Sequence, residues 1–263
     1  MNTTPFTPGL SEHAVVITRV TDRHWHALHD DLVVGRGHAQ HRPDGRLFVS
    51  VDAWHDTAFD RLAATMSASL PGPLYTVVDE ADTELTAAWL RAGFAVRRRE
   101  WEYAVPTDPR PTGLGTVLPP SGVTIVPAGQ ADESLLRAVD REIRDEVEAT
   151  VGWHSMPAEV VPCRDGDTLV DPSKYAVAAA TDRYLGLIRV VTAIRPRIGL
   201  VAVRADAQRR GVARALLAHA LGTLHQSGFA EAWTEVQESN RAGSALFEGI
   251  GARPMSSNLE LVR

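Results

Sequence analysis

The chain has 263 residues, which is enough for one large domain or two smaller ones. Hydrophobic residues make up 44% and charged residues 23%, the balance of an ordinary globular protein. The net charge of −6 argues against broad contact with a nucleic acid backbone, so no nucleic-acid partner is expected.

Targeting and redox features favour a cytoplasmic protein. No apolar run approaches the ~18–20 residues of a membrane helix, so no membrane partner is expected. The first residues lack the basic end and apolar stretch of a signal peptide. Cys163 is the single cysteine, so an intrachain disulfide is impossible, and without a partner base the thiol is expected to be inert.

The N-terminal part of the sequence predicts a small α/β domain. Short apolar runs predict strands at 14–17, 47–51 and 74–78, and helical spacing predicts a helix at 59–70. Histidines crowd residues 24–55 of this region, at His24, His26, His29, His38, His41 and His55. Metal ligation needs converging side chains, usually with a carboxylate or thiol, so we expect exposed histidines and no metal.

A proline-rich break follows. Five prolines lie close together at Pro106, Pro109, Pro111, Pro119 and Pro120. Proline removes a backbone donor and disfavours helix in the residue before it. We therefore predict domains at 1–106 and 122–263, joined by a linker at 107–121.

The C-terminal part predicts a strand at 123–127, a helix at 132–149, a loose segment at 152–171 and a hairpin over 175–192. The loose segment contains Trp153 and His154. These two residues would either cover the bound acceptor, or Trp153 would be a buried anchor and His154 a surface histidine. The helix is acidic, with Asp140, Asp145 and Glu148 among its residues.

The loop from Gln208 to Ala213 is the strongest chemical feature. A strand-like run at 198–203 precedes it, and an amphipathic helix pattern beginning at Val212 follows it. The first turn of a helix presents unpaired N–H groups and a partial positive charge, which favour a phosphate. Gly211 permits close approach of a ligand, and Arg209, Arg210 and Arg214 add positive charge.

Residues 197–252 resemble the GNAT superfamily, the acetyl-coenzyme A-dependent N-acetyltransferases. The sequence Gln-Arg-Arg-Gly-Val-Ala at 208–213 is similar to that family's pyrophosphate loop, Gln/Arg-x-x-Gly-x-Gly/Ala. A second block, 233–240, is similar to the next strand and ends in the characteristic Asn240. Residues 241–252 are similar to the helix and turn that close the cofactor groove.

The resemblance implies a fold and a reaction. The fold class would be α/β (α+β), with two GNAT-like domains that each have a mixed, mostly antiparallel sheet flanked by helices. The reaction would move acetyl from acetyl-coenzyme A, as co-substrate, to a primary amine of a small molecule or peptide, with no metal. The first domain lacks a glycine-containing loop after its central strand, where Asp52 and Asp56 would repel phosphate. We therefore expect the first domain to be a degenerate copy that binds no coenzyme A, and the chain to be a monomer with an internal pseudo-dimer or a homodimer.

The resemblance also assigns residue roles. Val201 and Val203 would hold pantetheine or polarise the carbonyl through their backbone. The pyrophosphate would bind at Gln208, Arg209, Arg210, Gly211, Val212, Ala213 and Arg214, and Asn240 and Phe247 would complete the cofactor site. Glu235 is the candidate base, because the surrounding strand is similar to that of ribosomal-protein N-terminal acetyltransferases. The alternative is that Glu235 is an exposed strand residue or pairs with an arginine.

Two departures from the family pattern keep other functions open. Arg197 stands near the position of a strand glutamate, and Phe247, in place of a tyrosine, has no hydroxyl to protonate the thiolate. A coenzyme A-binding regulatory protein is one alternative, and an aminoacyl-tRNA-dependent aminoacyl transferase is another. The acidic residues at 140–148 would suit a cationic acceptor, but a solvated face with Arg141–Asp145 and Arg144–Glu148 pairs is favoured.

Overall fold

The computed structural model describes residues 15–152, 170–192 and 194–263. Trp153, His154 and Cys163 lie outside the described residues. The chain divides into two compact units, one of residues 1–98 and 259–263 and the other of residues 99–258. Within the described ranges, no helix is long and apolar enough to cross a bilayer.

The described part of the first unit contains four consecutive antiparallel strands, a fifth strand that is parallel to the fourth, and two helices. Its elements in chain order are β1 (Val16–Thr21), β2 (His24–His29), β3 (Leu32–His41), β4 (Leu47–Ala53), α1 (Asp56–Ser69), β5 (Leu74–Asp79) and α2 (Thr83–Arg91). The strands follow sequence order across the sheet, and residues 259–262 pair beside β5. Both helices cover one face, where Trp25, Leu62, Met66 and Trp89 are almost fully buried.

In its described residues the second unit carries a mixed sheet and four α-helices. Its elements are β6 (Ala95–Pro106), α3 (Pro109–Thr112), β7 (Thr124–Val126), α4 (Glu133–Glu148), β8 (Tyr175–Ala179), β9 (Tyr184–Val191), β10 (Arg197–Val203), α5 (Val212–Gln226), β11 (Glu231–Gln237), α6 (Arg241–Glu248) and β12 (Arg253–Val262). The strand order is β6-β11-β10-β9-β8-β7, and only the β10–β11 contact in this order is parallel.

Two apolar layers enclose this second sheet. One contains α5 with its buried stripe of Leu216, Leu217 and Leu221, and the other contains α4 with Leu136, Val139 and Ile143. The α5 pattern was recognised in the sequence, and its leucines lie at helical spacing because one face of the helix packs on the sheet. The predicted α/β fold class, with mostly antiparallel sheets flanked by helices, is confirmed.

The structure divides the chain differently from the sequence prediction. Strands β6 and β12 each have residues in both units, since the division falls after residue 98 and again after residue 258. The segment 107–121, predicted as a linker, lies in the second unit. There Thr107 donates a 2.5 Å hydrogen bond to the carbonyl of Phe229, and Leu114 is buried in the α5 layer.

Candidate functional site

Strands β10 and β11 pair at one end and then separate. Arg197 is in register with Trp233, and the Trp233 N–H donates to the carbonyl of Pro196 at 2.9 Å. The Thr234 hydroxyl donates to the carbonyl of Ile198 at 3.0 Å. Farther along, Val201 and Val203 remain paired with β9 on one side of β10, but on the side of β11 they line a cleft. The mixed sheet thus opens into a groove between its two parallel strands, β10 and β11.

Strand β10 contains a bulge just before the residues that line this groove. The register against β9 shifts between Ile198 and Leu200, which leaves Gly199 as the extra residue. A bulge bends its strand and changes which side chains face each way. Ile198 and Val201 therefore both contact the α5 layer, whereas Leu200 contacts the α4 layer.

The loop after β10 is shaped as an anion cradle. The Gln208 amide donates to the carbonyl of Val203 at 3.0 Å and ties the loop to the strand. Arg209 has φ 60° and Gly211 has φ 89°, both in the left-handed region. Helix α5 begins at Val212 directly after Gly211, so its first N–H groups point out of the loop. Gly211 suits this position because it carries no Cβ.

Three positively charged arginines surround the cradle, and none of them has a hydrogen-bond or ion-pair partner among the described residues. Arg209, Arg210 and Arg214 are exposed, and they make no hydrogen bond or ion pair with the described part of the chain. By contrast, the nearby Arg204 is paired with Glu142. Unpaired guanidinium groups at a helix N-terminus create a positive potential that attracts a phosphorylated ligand.

The main cleft has a volume of about 530 Å³ and contains most of the predicted cofactor residues. Those lining it are Val201, Val203, Gln208, Arg209, Gly211, Val212, Ala213 and Arg214. The opposite wall is α6, through Ala242, Gly243 and Leu246. The structure therefore brings the strand and loop residues together around one groove.

Three predicted cofactor residues do not line this cleft. Arg210 lies in the loop but is not part of the wall. The Asn240 carboxamide accepts a 2.9 Å hydrogen bond from the Gly243 N–H and caps α6. This bond fixes the start of the helix whose Gly243 forms the wall. Phe247 is buried and lines a second opening.

The second opening shares Val201, Gly243 and Leu246 with the main cleft and continues it between the separated strands. Glu235 and Glu100 both line it. Glu100 was missed from the sequence. It belongs to β6 and is in register with Gln237 of β11, a pairing that no local pattern indicates.

Glu235 is held by an arginine. The Arg197 guanidinium donates to the Glu235 carboxylate at 2.5 Å, and both side chains are partly exposed. Next to them, the Arg195 guanidinium stacks 3.8 Å from the centre of the Trp233 ring. Glu235 thus combines two expected features, since it pairs with an arginine and also faces the opening.

Comparison with known proteins decides the family. Residues 140–252 match the model of the acetyltransferase (GNAT) family. This part of the chain is therefore a GNAT-family domain. A 51-residue stretch is 47% identical to [ribosomal protein bS18]-alanine N-acetyltransferase of Escherichia coli strain K12. This match covers 19% of the chain and 34% of the relative, so it spans about a third of the curated relatives' length.

Solved GNAT structures have the same fold over nearly the whole chain. A GCN5-related N-acetyltransferase from Sphaerobacter thermophilus is 19% identical with a TM-score of 0.62, over 94% of this chain and 82% of that one. A tandem GNAT protein from the clavulanic acid biosynthesis pathway is 14% identical with a TM-score of 0.64, over 95% and 83%. At these identities the likeness is one of fold, and it includes the tandem arrangement predicted from the sequence.

The carboxylates of the acidic helix α4 make ion pairs and hydrogen bonds with residues of the second unit. Asp140 and Arg144 form a buried ion pair at 2.7 Å, and Glu142 pairs with Arg204. The Glu146 carboxylate accepts a 2.7 Å hydrogen bond from the Ala205 N–H. These carboxylates therefore position the segment between β10 and the cradle. Arg144, expected to pair with Glu148, has Asp140 as its buried partner.

The corresponding connection in the first unit has another shape. Only Trp54 and His55 separate β4 from α1, whereas residues 204–211 separate β10 from α5. His55 precedes α1 in an extended conformation, and its side chain makes no capping hydrogen bond. Asp56 lies in the first turn and interacts with Arg91 at 3.5 Å. A carboxylate therefore lies where the GNAT loop of the second unit presents glycine and arginines.

Proposed function

We propose that the second unit is an N-acetyltransferase that binds acetyl-coenzyme A in the main cleft and transfers acetyl directly to a primary amine. The observation that carries this proposal is the Gly211 cradle with three arginines that have no partner among the described residues, at the end of a strand that separates from its neighbour. A pyrophosphate would bind the first N–H groups of α5. Pantetheine would extend along Val203 and Val201 toward the second opening.

Acetyl-coenzyme A supplies a thioester, whose carbonyl carbon accepts a nucleophile and whose sulfur departs as a thiolate. The amine nitrogen forms the new carbon–nitrogen bond as the carbon–sulfur bond breaks, and its surplus proton passes to a base. Orienting the amine beside the thioester can lower the barrier by up to ~7–11 kcal/mol. The groove between β10 and β11 would supply this orientation.

We assign the base to Glu235, with Glu100 as the second carboxylate of the same opening. Two carboxylates on one opening attract an ammonium group and leave it beside an acceptor for its proton. Arg197 would hold Glu235 in one orientation through the 2.5 Å hydrogen bond. Glu100 reaches the opening through the β6–β11 pairing.

The thiolate would leave without an acid from the residue at 247. Phe247 is buried and has no proton to donate, and coenzyme A thiolate is a good leaving group, so departure would occur unaided or through water. The same observation favours a second candidate, a protein of this fold that binds coenzyme A for regulation and turns over little.

The acceptor is proposed to be a cationic primary amine of a small molecule or a peptide. Glu100 and Glu235 complement a positive charge at the opening. The Escherichia coli relative is named for the alanine of a ribosomal protein, which motivates a peptide with a free N-terminal alanine as one test acceptor. Polyamines and amino sugars represent the small-molecule class.

Two measurements on the full chain test the proposal. Calorimetric titration with acetyl-coenzyme A should give a stoichiometry of one per chain, because the first unit has no comparable cradle in residues 15–98. Thiol release, followed with each amine, should rise above the amine-free rate for at least one acceptor. Tight binding with no release for any amine would support the regulatory candidate instead. Absence of binding would overturn both candidates, and two molecules per chain would contradict the assignment of a single site.

A further inference from the structure

Helix α6 borders another pocket, on a different side from the main cleft. The volume of this pocket is about 450 Å³, within the range of ~300–1,000 Å³ that small-molecule sites have. Arg241, Ser244 and Glu248 of α6 line it but do not line the main cleft, and Ala245 lines both. All of its lining residues belong to the second unit, and we refer to it as the α6 pocket.

Strand β6 and the start of β12 supply the apolar part of the α6 pocket, through Trp101, Tyr103 and Pro254. Tyr103 is 3% exposed, and its hydroxyl donates a 3.0 Å hydrogen bond to the Glu248 carboxylate. Ser244 lies beside the same hydroxyl. A carboxylate offers about four acceptor positions, so this bond orients Glu248 and leaves it able to accept from a ligand.

Two side chains of opposite charge line the α6 pocket without a charged partner. The Arg241 guanidinium makes no hydrogen bond or ion pair with the described part of the chain. Within the same residues, Glu248 accepts from Tyr103 but is not paired with a cation. Glu238, which also lines the pocket, is already paired with Arg99 at 2.7 Å. The wall therefore offers one positive and one negative group to a ligand.

The separation of these two groups limits the kind of ligand. Arg241 and Glu248 are the first and last residues of α6, seven positions apart. Seven positions make about two turns, so both side chains lie on one side of the helix, about 10 Å apart along its axis. An extended chain of three residues spans about 10 Å. A free amino acid matches this separation poorly, because its ammonium and carboxylate are attached to neighbouring atoms.

We propose that the α6 pocket binds a short peptide of about three residues through both of its termini. The N-terminal ammonium would donate to Glu248, and the C-terminal carboxylate would accept two parallel hydrogen bonds from the Arg241 guanidinium. An apolar side chain between the termini would pack against Trp101 and Pro254. The pocket lies on its own side of α6, so this proposal does not depend on acetyl transfer.

Calorimetric titration of the full chain with the tripeptide Gly-Leu-Gly tests this site, at constant ionic strength and without acetyl-coenzyme A. Arg241→Gln and Glu248→Gln should each bind at least about tenfold more weakly than wild type, the loss expected for a charge-assisted hydrogen bond. The peptide ammonium could instead enter the second opening and meet Glu235. Glu235→Gln is therefore the control, and it should bind the peptide as wild type does.

Modified peptides test which terminus each side chain binds. The C-terminal amide of Gly-Leu-Gly lacks the carboxylate, so it should bind wild type about tenfold more weakly than the free acid does. Arg241→Gln should bind the amide and the acid alike, because the group that distinguishes them is gone. In the same way, Glu248→Gln should no longer distinguish N-acetyl-Gly-Leu-Gly from the unmodified peptide.

Neither substitution in the α6 pocket removes a contact that the fold needs. Arg241 has no side-chain partner in the described ranges, and Glu248→Gln keeps an oxygen for the Tyr103 hydroxyl. Urea denaturation should therefore give both variants the free energy of unfolding of wild type. The proposal is overturned if wild type binds no peptide, if either variant binds with unchanged affinity, if wild type binds amide and acid equally, or if Glu235→Gln loses binding.

Discussion

The Arg197 guanidinium donates a 2.5 Å hydrogen bond to the carboxylate of Glu235, at the end of the groove where β10 and β11 are still paired. The pair places a negative and a positive group at the entrance to the proposed reaction site. An arginine so close holds the carboxylate in one position.

Removal of the Glu235 carboxylate should slow acetyl transfer. We expect Glu235→Gln to lower the acetylation rate by at least about tenfold, since general bases contribute about a hundredfold or more. Affinity for acetyl-coenzyme A should change little, because the cradle is untouched. Glu231→Gln on the same strand, where Glu231 pairs with Arg253 at 3.3 Å, is the matched control. An unchanged rate in Glu235→Gln would assign the proton transfer elsewhere, and Glu100→Gln would then be the next variant.

The cradle arginines should contribute unequally to cofactor binding. Arg214 lines the main cleft and Arg210 does not, although both are exposed and lie four residues apart. Arg214→Gln should therefore weaken acetyl-coenzyme A binding by about tenfold through a lost charge-assisted hydrogen bond. Arg210→Gln should have a smaller effect that disappears at high salt. Calorimetry at two salt concentrations measures both, and equal losses would show that only overall charge matters.

Gly211 should be required for its backbone conformation. Its φ of 89° suits glycine, and a Cβ added there would meet no atom closer than Pro120 Cγ at 4.0 Å. Gly211→Ala should thus lower the free energy of unfolding by about 1 kcal/mol or more through backbone strain alone. It should also weaken acetyl-coenzyme A binding, because the loop relaxes.

Gly222→Ala is the matched control on α5. Nothing lies within 4 Å of a Cβ built there, so alanine should stabilise the helix by up to ~1 kcal/mol and leave binding unchanged. Urea denaturation of both variants measures the free energy of unfolding, and calorimetry measures the affinity for acetyl-coenzyme A. Tight binding by Gly211→Ala would mean that the left-handed residue is not needed for the cradle.

His219 should make stability depend on pH. Burial lowers its pKa below the ordinary value of 6.5, so the unfolded chain takes up a proton more readily than the folded one. Its contribution to stability is therefore complete above pH 6.5 and is lost as the pH falls through the lower folded pKa. The free energy of unfolding, measured by urea at about pH 7.5 and about pH 5.5, should fall less in His219→Gln than in wild type. His225 is exposed on the same helix, so His225→Gln controls for the change in helix propensity. If wild type and His219→Gln have the same pH dependence of the free energy of unfolding, the assignment to His219 is contradicted.

The sequence predicted the parts of the site that depend on neighbouring residues. The cradle follows from Gly211, the arginines and the start of α5, all within a few positions of one another. Glu100 escaped prediction because it reaches the opening through long-range pairing with Gln237. The run from Arg97 to Glu102 also shows no alternation of polar and apolar residues, although it lies in a strand. Two of its arginines, Arg97 and Arg98, contact the buried carboxylate of Glu260, which lies far along the chain.

The boundaries between the units were the other part that local patterns did not predict. Prolines at 106–120 indicated a linker, yet this segment packs in the second unit, where Leu114 is buried. Strands β2 and β3 were also not predicted, since histidines occupy alternating positions that face away from Trp25 and Ala27. Burial on one face, rather than residue type on the other, makes these segments strands.

The division of the chain has a consequence for how the protein is made. The first unit needs residues 259–263, so it is not a continuous piece of sequence and no single cut separates the units. During synthesis, residues 1–98 leave the ribosome well before Glu260, the carboxylate that their arginines surround. The first unit therefore completes its fold only after Glu260 has been synthesised, and until then Arg46, Arg97 and Arg98 lack this carboxylate.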